Sequence, residues 1–334
     1  MIKPYLLRLH RWLTLAFALP LAVLVVTGLI LSFEPIVATS SAPPAALTAE
    51  RIDQLLAQHD PEGKARMLAV RPYDGTMSIM GVRQGAPLTV DVTTGAETKP
   101  AGIAGWFNAS RGLHEHLILD LDWLVSLSTA AMIVLMLLGV FMGWPRLANT
   151  ISGWHKGTAW FLLPLVVLSP LTGLMLAYGV TFTGGAPMGG RGGHGPGEHG
   201  PAGAPAAQSQ PAQPRGQRGG GDGLPVREAV KLLAAQADVS HLLMMRGRGP
   251  QMMARLNEGG EYRAYMVSRE GVRAAPRNWP RLIHEGNWAG VWSGLVNVVT
   301  SLALMLLMVT GLVIWARRRF RKPQRQRVRE ARAA

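Results

Sequence analysis

Four long apolar stretches set the strongest limit on what this chain can fold into. They are Leu13–Val37, Leu124–Trp144, Thr158–Tyr178 and Val291–Trp315. A helix needs roughly 20 apolar residues to cross a bilayer core of about 30 Å, and each stretch is long enough. None contains Lys, Arg or Asp, and Glu34 lies at the far end of the first. The sequence therefore predicts a membrane protein with an all-α, four-helix transmembrane bundle.

The first stretch also has an alternative interpretation as a cleaved signal peptide. Lys3, Arg8 and Arg11 precede it, and the small residues of Ala38–Ala42 follow it. The apolar part of a signal peptide runs only about 7 to 15 residues, however. We therefore favour an uncleaved span.

The basic residues are distributed unevenly enough to predict an orientation. The N-terminus, the loop Pro145–Gly157 and the C-terminal tail together hold 14 Lys and Arg against one acid, Glu330, which accounts for +13 of the formal net charge of +14. By the positive-inside rule this side is cytoplasmic, so both long segments between spans are periplasmic or extracellular. The basic tail then contacts membrane lipid, and no nucleic-acid partner is expected.

The chain contains no cysteine. This excludes disulfides, thiolate zinc sites and iron–sulfur clusters. Any redox or metal chemistry must therefore use His, Met, carboxylates or a bound organic cofactor.

The two halves of the chain repeat one pattern, which indicates an internal duplication. His10 and His155 open the first and third stretches, and Thr-Gly follows each of them seventeen residues later. His114 and His284 precede the second and fourth stretches, and a Glu follows each. The second stretch ends in GVFMGWPR and the fourth in the similar GLVIWARR.

Each half also carries a segment with the pattern of one helix followed by strands. The segments begin LTAERIDQLLAQ and LPVREAVKLLAAQ, where Thr48 and Pro225 are typical of helix starts. Three alternating runs follow each helix, MLAVRPY, TMSIMGV and LTVDVTTG in the first half and LLMMRG, QMMARL and YRAYMVS in the second. We expect two small α+β periplasmic modules, each with a three-stranded antiparallel sheet.

The predicted segments follow in order along the chain. They are 1–37 (cytoplasmic N-terminus and first span), 38–105 (first module), 106–145 (periplasmic helix mouth and second span), 146–157 (cytoplasmic loop), 158–180 (third span), 181–223 (disordered Gly/Pro-rich loop), 224–278 (second module), 279–316 (periplasmic helix mouth and fourth span) and 317–334 (basic cytoplasmic tail).

Two features of the second half have alternative interpretations. His194 and His199 in the Gly/Pro-rich loop can bind a metal, but a plain spacer is favoured. Met residues of the second module can offer thioethers to Cu(I), although at strand spacing they are more often core residues. These methionines are Met244, Met245, Met252, Met253 and Met266.

The ordered set of motifs resembles the PepSY-associated transmembrane (PepSY-TM) family over nearly the whole chain. It comprises HRW and Thr-Gly in the first stretch, LH before the second, GWPR at its end, HK at the third and IHEG before the fourth. The resemblance implies haem-b ferrisiderophore reductase activity at the inner membrane, whereas some relatives are described only as iron-uptake or peptidase-regulating factors. Other relatives carry a cytoplasmic flavin and nicotinamide reductase domain, which we do not expect in this chain.

Topology sorts the four repeated histidines into one pair on each membrane face. His10 and His155 belong to the cytoplasmic face, and His114 and His284 to the periplasmic face. A haem iron takes two axial ligands, which neutral imidazoles on facing helices can supply. Without a CxxCH motif, the prediction is two non-covalent b haems, each with two His ligands. Hydrogen bonding at helix ends is the alternative role, and His116 competes with His114 as the ligand.

Glycines lie at the same two levels as the histidine pairs. Gly28 and Gly173 are expected beside the outer pair, and Gly139 and Gly311 beside the inner pair. Small residues at these levels would let a flat macrocycle approach the helix backbone. Ordinary close packing of membrane helices explains them equally well.

The leading hypothesis is transmembrane electron transfer. The donor would be a cytoplasmic flavoprotein or a quinol, and the acceptor Fe(III), free or siderophore-bound. Outward movement of an electron from a negative interior gains about 2.3 kcal/mol per 100 mV. The alternatives are a membrane-anchored regulator or inhibitor of a periplasmic protein, which leaves the repeated histidines unexplained, and a transporter, for which a charged residue in mid-membrane is missing.

Overall fold

The long apolar helices and the strands occupy separate parts of the molecule. The computed structural model describes residues 3–84, 86–100, 102–117, 120–144, 148–181 and 223–320. The helices are α1 (Lys3–Ala16), α2 (Ala18–Ser32), α3 (Glu34–Ser40), α4 (Ala49–His59), α5 (Gly102–His116), α6 (Asp122–Phe141), α7 (Ile151–Phe161), α8 (Leu163–Ala177), α9 (Val226–Ala234), α10 (Trp279–Glu285) and α11 (Val291–Phe320). The strands are β1 (Met67–Arg71), β2 (Thr76–Met80), β3 (Leu88–Asp91), β4 (Leu242–Arg248), β5 (Gln251–Glu258), β6 (Glu261–Ser268) and β7 (Gly271–Ala274). His194 and His199, and the tail after residue 320, lie outside the described residues.

The helical region contains three continuous helical segments that are long and apolar enough to cross a membrane. They are Ala18–Ser40, which α2 and α3 form together, α6 and α11. The third predicted span is instead two helices, α7 and α8, which meet at Leu162 with a bend of 67°. Pro164 explains the break because it has no N–H to donate and its ring clashes with the carbonyl four residues earlier. The described residues thus hold three candidate spans, or four if the bent pair is one span.

The two ends of the helical region differ in charge. One end carries the start of α1, the start of α7 and the end of α11, with their Lys and Arg, and we call it the basic end. The other end meets the strands, and we call it the sheet end. Exposed aromatic side chains lie near both ends, as is typical of helices that cross a bilayer. They are Trp12, Trp144 and Trp154 near the basic end and Trp123, Tyr178 and Trp292 near the sheet end.

The seven strands form one antiparallel sheet in the order β3-β2-β1-β4-β5-β6-β7. Strand β1 of the first half pairs with β4 of the second, with Ala69 opposite Met244. The sequence analysis expected two separate three-stranded sheets, and it did not predict β7. Two separate sheets would leave β1 and β4 as edges with unpaired N–H and C=O groups, and pairing these edges satisfies both.

Helices α4 and α9 pack side by side on one face of this sheet and share its apolar core. The hydroxyl of Thr48 accepts the backbone N–H of Arg51 at 3.1 Å, which confirms it as the cap of α4. The carboxylate of Asp53 on α4 binds the guanidinium of Arg227 on α9 at 2.9 and 3.0 Å. The two halves are therefore joined by strand pairing, a common core and an ion pair.

Candidate cofactor site

Each of the four repeated histidines lies on a helix packed against a strongly apolar helix. His10 is on α1, which packs against α6, and His155 is on α7, which packs against α11. His114 is on α5, which packs against α2, and His284 is on α10, which packs against α8. The duplication seen in the sequence is thus also present in the packing.

At the sheet end the rings of His114 and His284 face each other. Their centroids are 6.2 Å apart and their planes are inclined by 43°. A metal–nitrogen bond is about 2 Å and the ring centre lies about 1 Å further, so two imidazoles that share one metal ion have centres about 6 Å apart. The observed spacing therefore fits one metal atom between the two rings.

Hydrogen bonds fix which nitrogen of these two rings is free. The Nδ1 of His284 lies 3.0 Å from the carbonyl of Ser169, and a carbonyl can only accept, so Nδ1 carries the proton. The Nδ1 of His114 lies 3.0 Å from the hydroxyl of Thr27, which itself donates to the carbonyl of Val23 at 2.6 Å. Both rings therefore donate through Nδ1 and leave Nε2 as the ligating atom, the arrangement usual in metal-binding histidines.

At the basic end the two histidines have different surroundings. The Nδ1 of His155 lies 2.9 Å from the hydroxyl of Thr310. The Nδ1 of His10 is buried and makes no well-aligned hydrogen bond with any described residue, and the backbone carbonyl of Leu135 is the acceptor beside the ring. The repeat explains the difference, because the residue equivalent to Thr310 in the first half is Leu138.

The glycines at the two levels lie against the histidine rings. A Cβ atom built on the glycine would come within 2.8 Å of the facing imidazole Cε1 at Gly173, 3.2 Å at Gly28 and 3.5 Å at Gly311. At Gly139 such a Cβ would meet nothing within 4 Å in the described part of the chain. Gly173 and Gly28 thus leave space for an imidazole that a Cβ would crowd, whereas a Cβ at Gly311 would make an ordinary contact. The sequence analysis had instead expected these glycines to let a macrocycle approach the backbone.

The competitor His116 has a separate partner. Its Nδ1 lies 2.7 Å from the carboxylate of Asp122 at the start of α6, and its side chain is 40 % exposed. The structure thus pairs His114, and not His116, with His284 across the sheet end.

Apolar residues separate the two histidine pairs. A buried apolar cluster lies where α2, α8 and α11 meet, between the levels of the two pairs. Its members are Val25, Val166, Ala303 and Leu304. Along α1 and α2, eighteen residues separate His10 from the glycine level of the outer pair, which is about 27 Å of helix. Among the described residues, the interior between the pairs therefore carries an apolar cluster and no charged side chain.

A buried ionic network lies beside the outer pair. Glu285, the residue after His284, accepts hydrogen bonds from Arg281 at 3.1 Å and Arg255 at 3.5 Å. Burial alone would raise the pKa of Glu285, but the positive charges of Arg255 and Arg281 outweigh it and hold the pKa below its ordinary value. The carboxylate is thus charged and links strand β5 to α10.

A second ion pair completes this network on the other side. Arg111 on α5 pairs with Glu34 at the start of α3, and the hydroxyl of Tyr73 donates to the same carboxylate at 3.1 Å. The sequence analysis noted Glu34 only as the end of a span. No local motif indicated the network, because its members come from elements far apart in sequence.

The sequence analysis also missed the hydroxyls that orient the rings. Thr27 contacts His114, Thr172 contacts His284 at 3.3 Å, and Thr310 contacts His155. The repeated Thr-Gly pair was the available signal, but only its glycine was given a role.

The donor set fits a haem better than a metal ion held by protein ligands alone. The described residues contain no group of three or more His, Cys, Asp or Glu side chains that could hold a metal ion. A macrocycle supplies four nitrogens itself and requires only axial ligands from the protein. Two facing imidazoles with free Nε2 atoms provide that set.

Comparison with known proteins identifies the family. The family model described as the PepSY-associated TM region matches residues 7–318. No curated protein matches the chain. The matched range contains all four repeated histidines, the apolar helices and the whole sheet. The chain is therefore a membrane protein that belongs to the PepSY-associated transmembrane family.

Proposed function

We propose that this chain is a haem-b protein of the bacterial inner membrane that carries electrons across it to Fe(III), free or siderophore-bound. The observation that supports this most directly is the outer pair, with ring centroids 6.2 Å apart and the Nδ1 of each ring committed to a hydrogen bond. A membrane anchor has no need of two imidazoles held in this way. The purified protein should therefore be assayed for ferric reductase activity.

Each histidine pair would hold one haem b. His114 and His284 would supply the axial nitrogens at the sheet end, and His10 and His155 those at the basic end. Haem b, when bound, supplies one-electron exchange between ferric and ferrous iron. Thr27 and Thr310 orient their imidazoles, and the apolar cluster between the pairs excludes water.

The charge distribution supports the direction of transfer. The described basic end carries Lys3, Arg8, Arg11, Lys156 and Arg317–Arg319, which favours the cytoplasm for that end. The sheet would then lie in the periplasm, with four spans if α7 and α8 cross together. A cytoplasmic flavoprotein or a quinol would donate electrons at the basic end.

The first test is an absorbance spectrum of the purified full-length protein. We expect sharp low-spin bands after dithionite reduction and a haem-to-protein ratio near two. NADPH alone should leave the protein oxidised, whereas an added flavoprotein or quinol should reduce it. A folded preparation without haem would refute the proposal and favour the membrane-anchored regulator.

The second test separates the two haems by substitution. His114→Ala or His284→Ala should remove the outer haem, or make it high spin, and leave the inner one intact. His10→Ala or His155→Ala should have the opposite effect, because the two sites share no ligand. If His10→Ala and His114→Ala removed the same haem, the pairing would be wrong.

The proposed orientation can be tested without a background signal, because the chain has no cysteine. Single substitutions Arg269→Cys, in the turn after β6, and Arg319→Cys, at the end of α11, place one thiol at each end. A membrane-impermeant maleimide should label the first in intact spheroplasts and the second only after lysis. The reverse pattern would invert the proposed direction of electron transfer.

A further inference from the structure

The sheet face that α4 and α9 leave uncovered carries basic and sulfur-containing side chains. Strand alternation and register place five arginines and five methionines on this face, which we call the arginine face. They are Arg71, Arg246, Arg248, Arg255, Arg273, Met67, Met80, Met244, Met253 and Met266. Met245 and Met252 point the other way, into the core under the helices. The methionines of the second half therefore divide between core and arginine face.

The arginine face has an excess of positive charge. In the described strands, Asp91 is the only carboxylate on this face, and it binds the backbone N–H and hydroxyl of Thr94 in its own turn. Arg255 pairs with Glu285 of α10. Arg246 and Arg273 take part in no ion pair with any described residue. Their charges remain available to an external anion.

The methionines flank these available arginines in one row across the sheet. Met67 lies opposite Met80 on one side and Arg246 on the other. Arg246 in turn lies opposite Met253, which continues the row through the second half. Side chains directly opposite on neighbouring strands have Cβ atoms about 5 Å apart, so the thioethers lie on both sides of the Arg246 guanidinium.

The row continues to the edge of the sheet and lies near the outer histidine pair. Met266 lies opposite both Met253 and Arg273. Arg255 lies on the same face, two residues after Met253, and it contacts Glu285. Glu285 directly follows His284 in the sequence. Met253 is only 8 % exposed, so protein covers this part of the face. The row is therefore covered at Met253, on the side of the outer pair, and continues from there to the edge strand β7.

We infer that the arginine face binds an anionic iron chelate and presents it to the outer histidine pair. The inference rests on the proposed function for the identity of the metal. Arg246 and Arg273 would bind carboxylate or catecholate oxygens, for which the guanidinium is the best-matched side chain. The unbranched, polarisable methionines would pack against the apolar parts of ligands of different shape. A bare cation such as Cu(I) is disfavoured beside two available positive charges.

The test is direct binding in nanodiscs of zwitterionic phosphatidylcholine, with redox-inert gallium(III) in place of iron. The probes are a gallium(III) tricatecholate, which is strongly anionic, and a gallium(III) trihydroxamate of similar size, which is neutral. We expect tighter binding of the anionic probe, weakening with added salt. In the double variant Arg246→Gln/Arg273→Gln, the Kd of the anionic probe should rise about tenfold or more, whereas the Kd of the neutral probe should change little.

The matched control is Arg269→Gln, which removes an exposed arginine in the turn after β6, paired with Glu228 of α9. Its Kd for the anionic probe should equal that of the native chain, and all variants should melt at similar temperatures. Equal binding of both probes, or an unchanged Kd in the double variant, would overturn the inference. The inference would also be overturned if the double variant changed binding only in nanodiscs that contain anionic lipid, because the arginine face would then bind lipid headgroups. Haem spectra are recorded separately, so a colourless protein that still binds the anionic probe would refute the proposed function alone.

Discussion

The substitution Gly173→Ala tests whether the glycines seat the histidines. The added Cβ would lie 2.8 Å from Cε1 of His284, closer than van der Waals contact allows. The ring cannot move away freely, because the carbonyl of Ser169 and the hydroxyl of Thr172 hold its Nδ1 at 3.0 and 3.3 Å. Overpacking of this kind costs about 1–3 kcal/mol.

The matched control is Gly139→Ala, where a Cβ meets nothing within 4 Å among the described residues. Replacing Gly by Ala stabilises a helix by about 1 kcal/mol in both variants, so this contribution cancels when the two are compared. The remaining difference of about 1–3 kcal/mol corresponds to roughly 5- to 150-fold weaker retention of the outer haem in Gly173→Ala.

The measurement is haem content and low-spin absorbance during titration of purified protein with a haem-binding competitor. We expect Gly173→Ala to lose the outer haem first, Gly28→Ala less readily at its 3.2 Å contact, and Gly311→Ala at 3.5 Å to resemble the native chain. Equal loss in Gly139→Ala and Gly173→Ala would refute the reasoning, and so would a native spectrum and haem retention in Gly173→Ala.

Three further predictions follow from single contacts. Leu138→Thr should give the buried Nδ1 of His10 a hydroxyl acceptor. A buried donor without an acceptor costs about 1–3 kcal/mol, so the substitution should raise retention of the inner haem roughly 5-fold or more. Unchanged retention would contradict this. Hydrogen bonding to Arg227 lowers the pKa of Asp53 in the folded chain. The ion pair therefore stabilises the fold fully above the ordinary pKa near 3.8, and this stabilisation is lost as the pH falls through the lowered pKa. Asp53→Asn should therefore reduce the fall in melting temperature as the pH is lowered below about 3.8, and an unchanged slope would count against the ion pair. His116→Ala should leave both haem spectra nearly unchanged, and loss of the outer haem would make it the ligand.

Much of the local structure could be predicted because it depends on short patterns. The apolar stretches located the membrane helices, and alternation located six of the seven strands. The bend at Leu162 was not predicted, although Pro164 was visible, because other prolines such as Pro170 lie inside a helix of this protein. Whether a proline bends a span depends on the packing around it.

The contacts between distant elements could not be read from the sequence. Pairing of β1 with β4 joins residues 175 to 179 positions apart, and each strand looks like an ordinary sheet edge within its own half. The placement of His114 opposite His284 followed from the duplication, but the tautomers required the actual hydroxyl and carbonyl partners. The ionic network of Glu34, Arg111 and Glu285 likewise depends on three elements meeting at one place.

The pairing of β1 with β4 also has a consequence for how the chain is made. Strand β1 emerges early, but its partner begins 175 residues later. At about 5–20 residues per second, the ribosome needs roughly 10–30 s to reach it. During that delay β1 is a bare edge that another nascent chain could extend. We therefore expect newly made protein to depend on a holding chaperone during those seconds, and a truncated first half to aggregate.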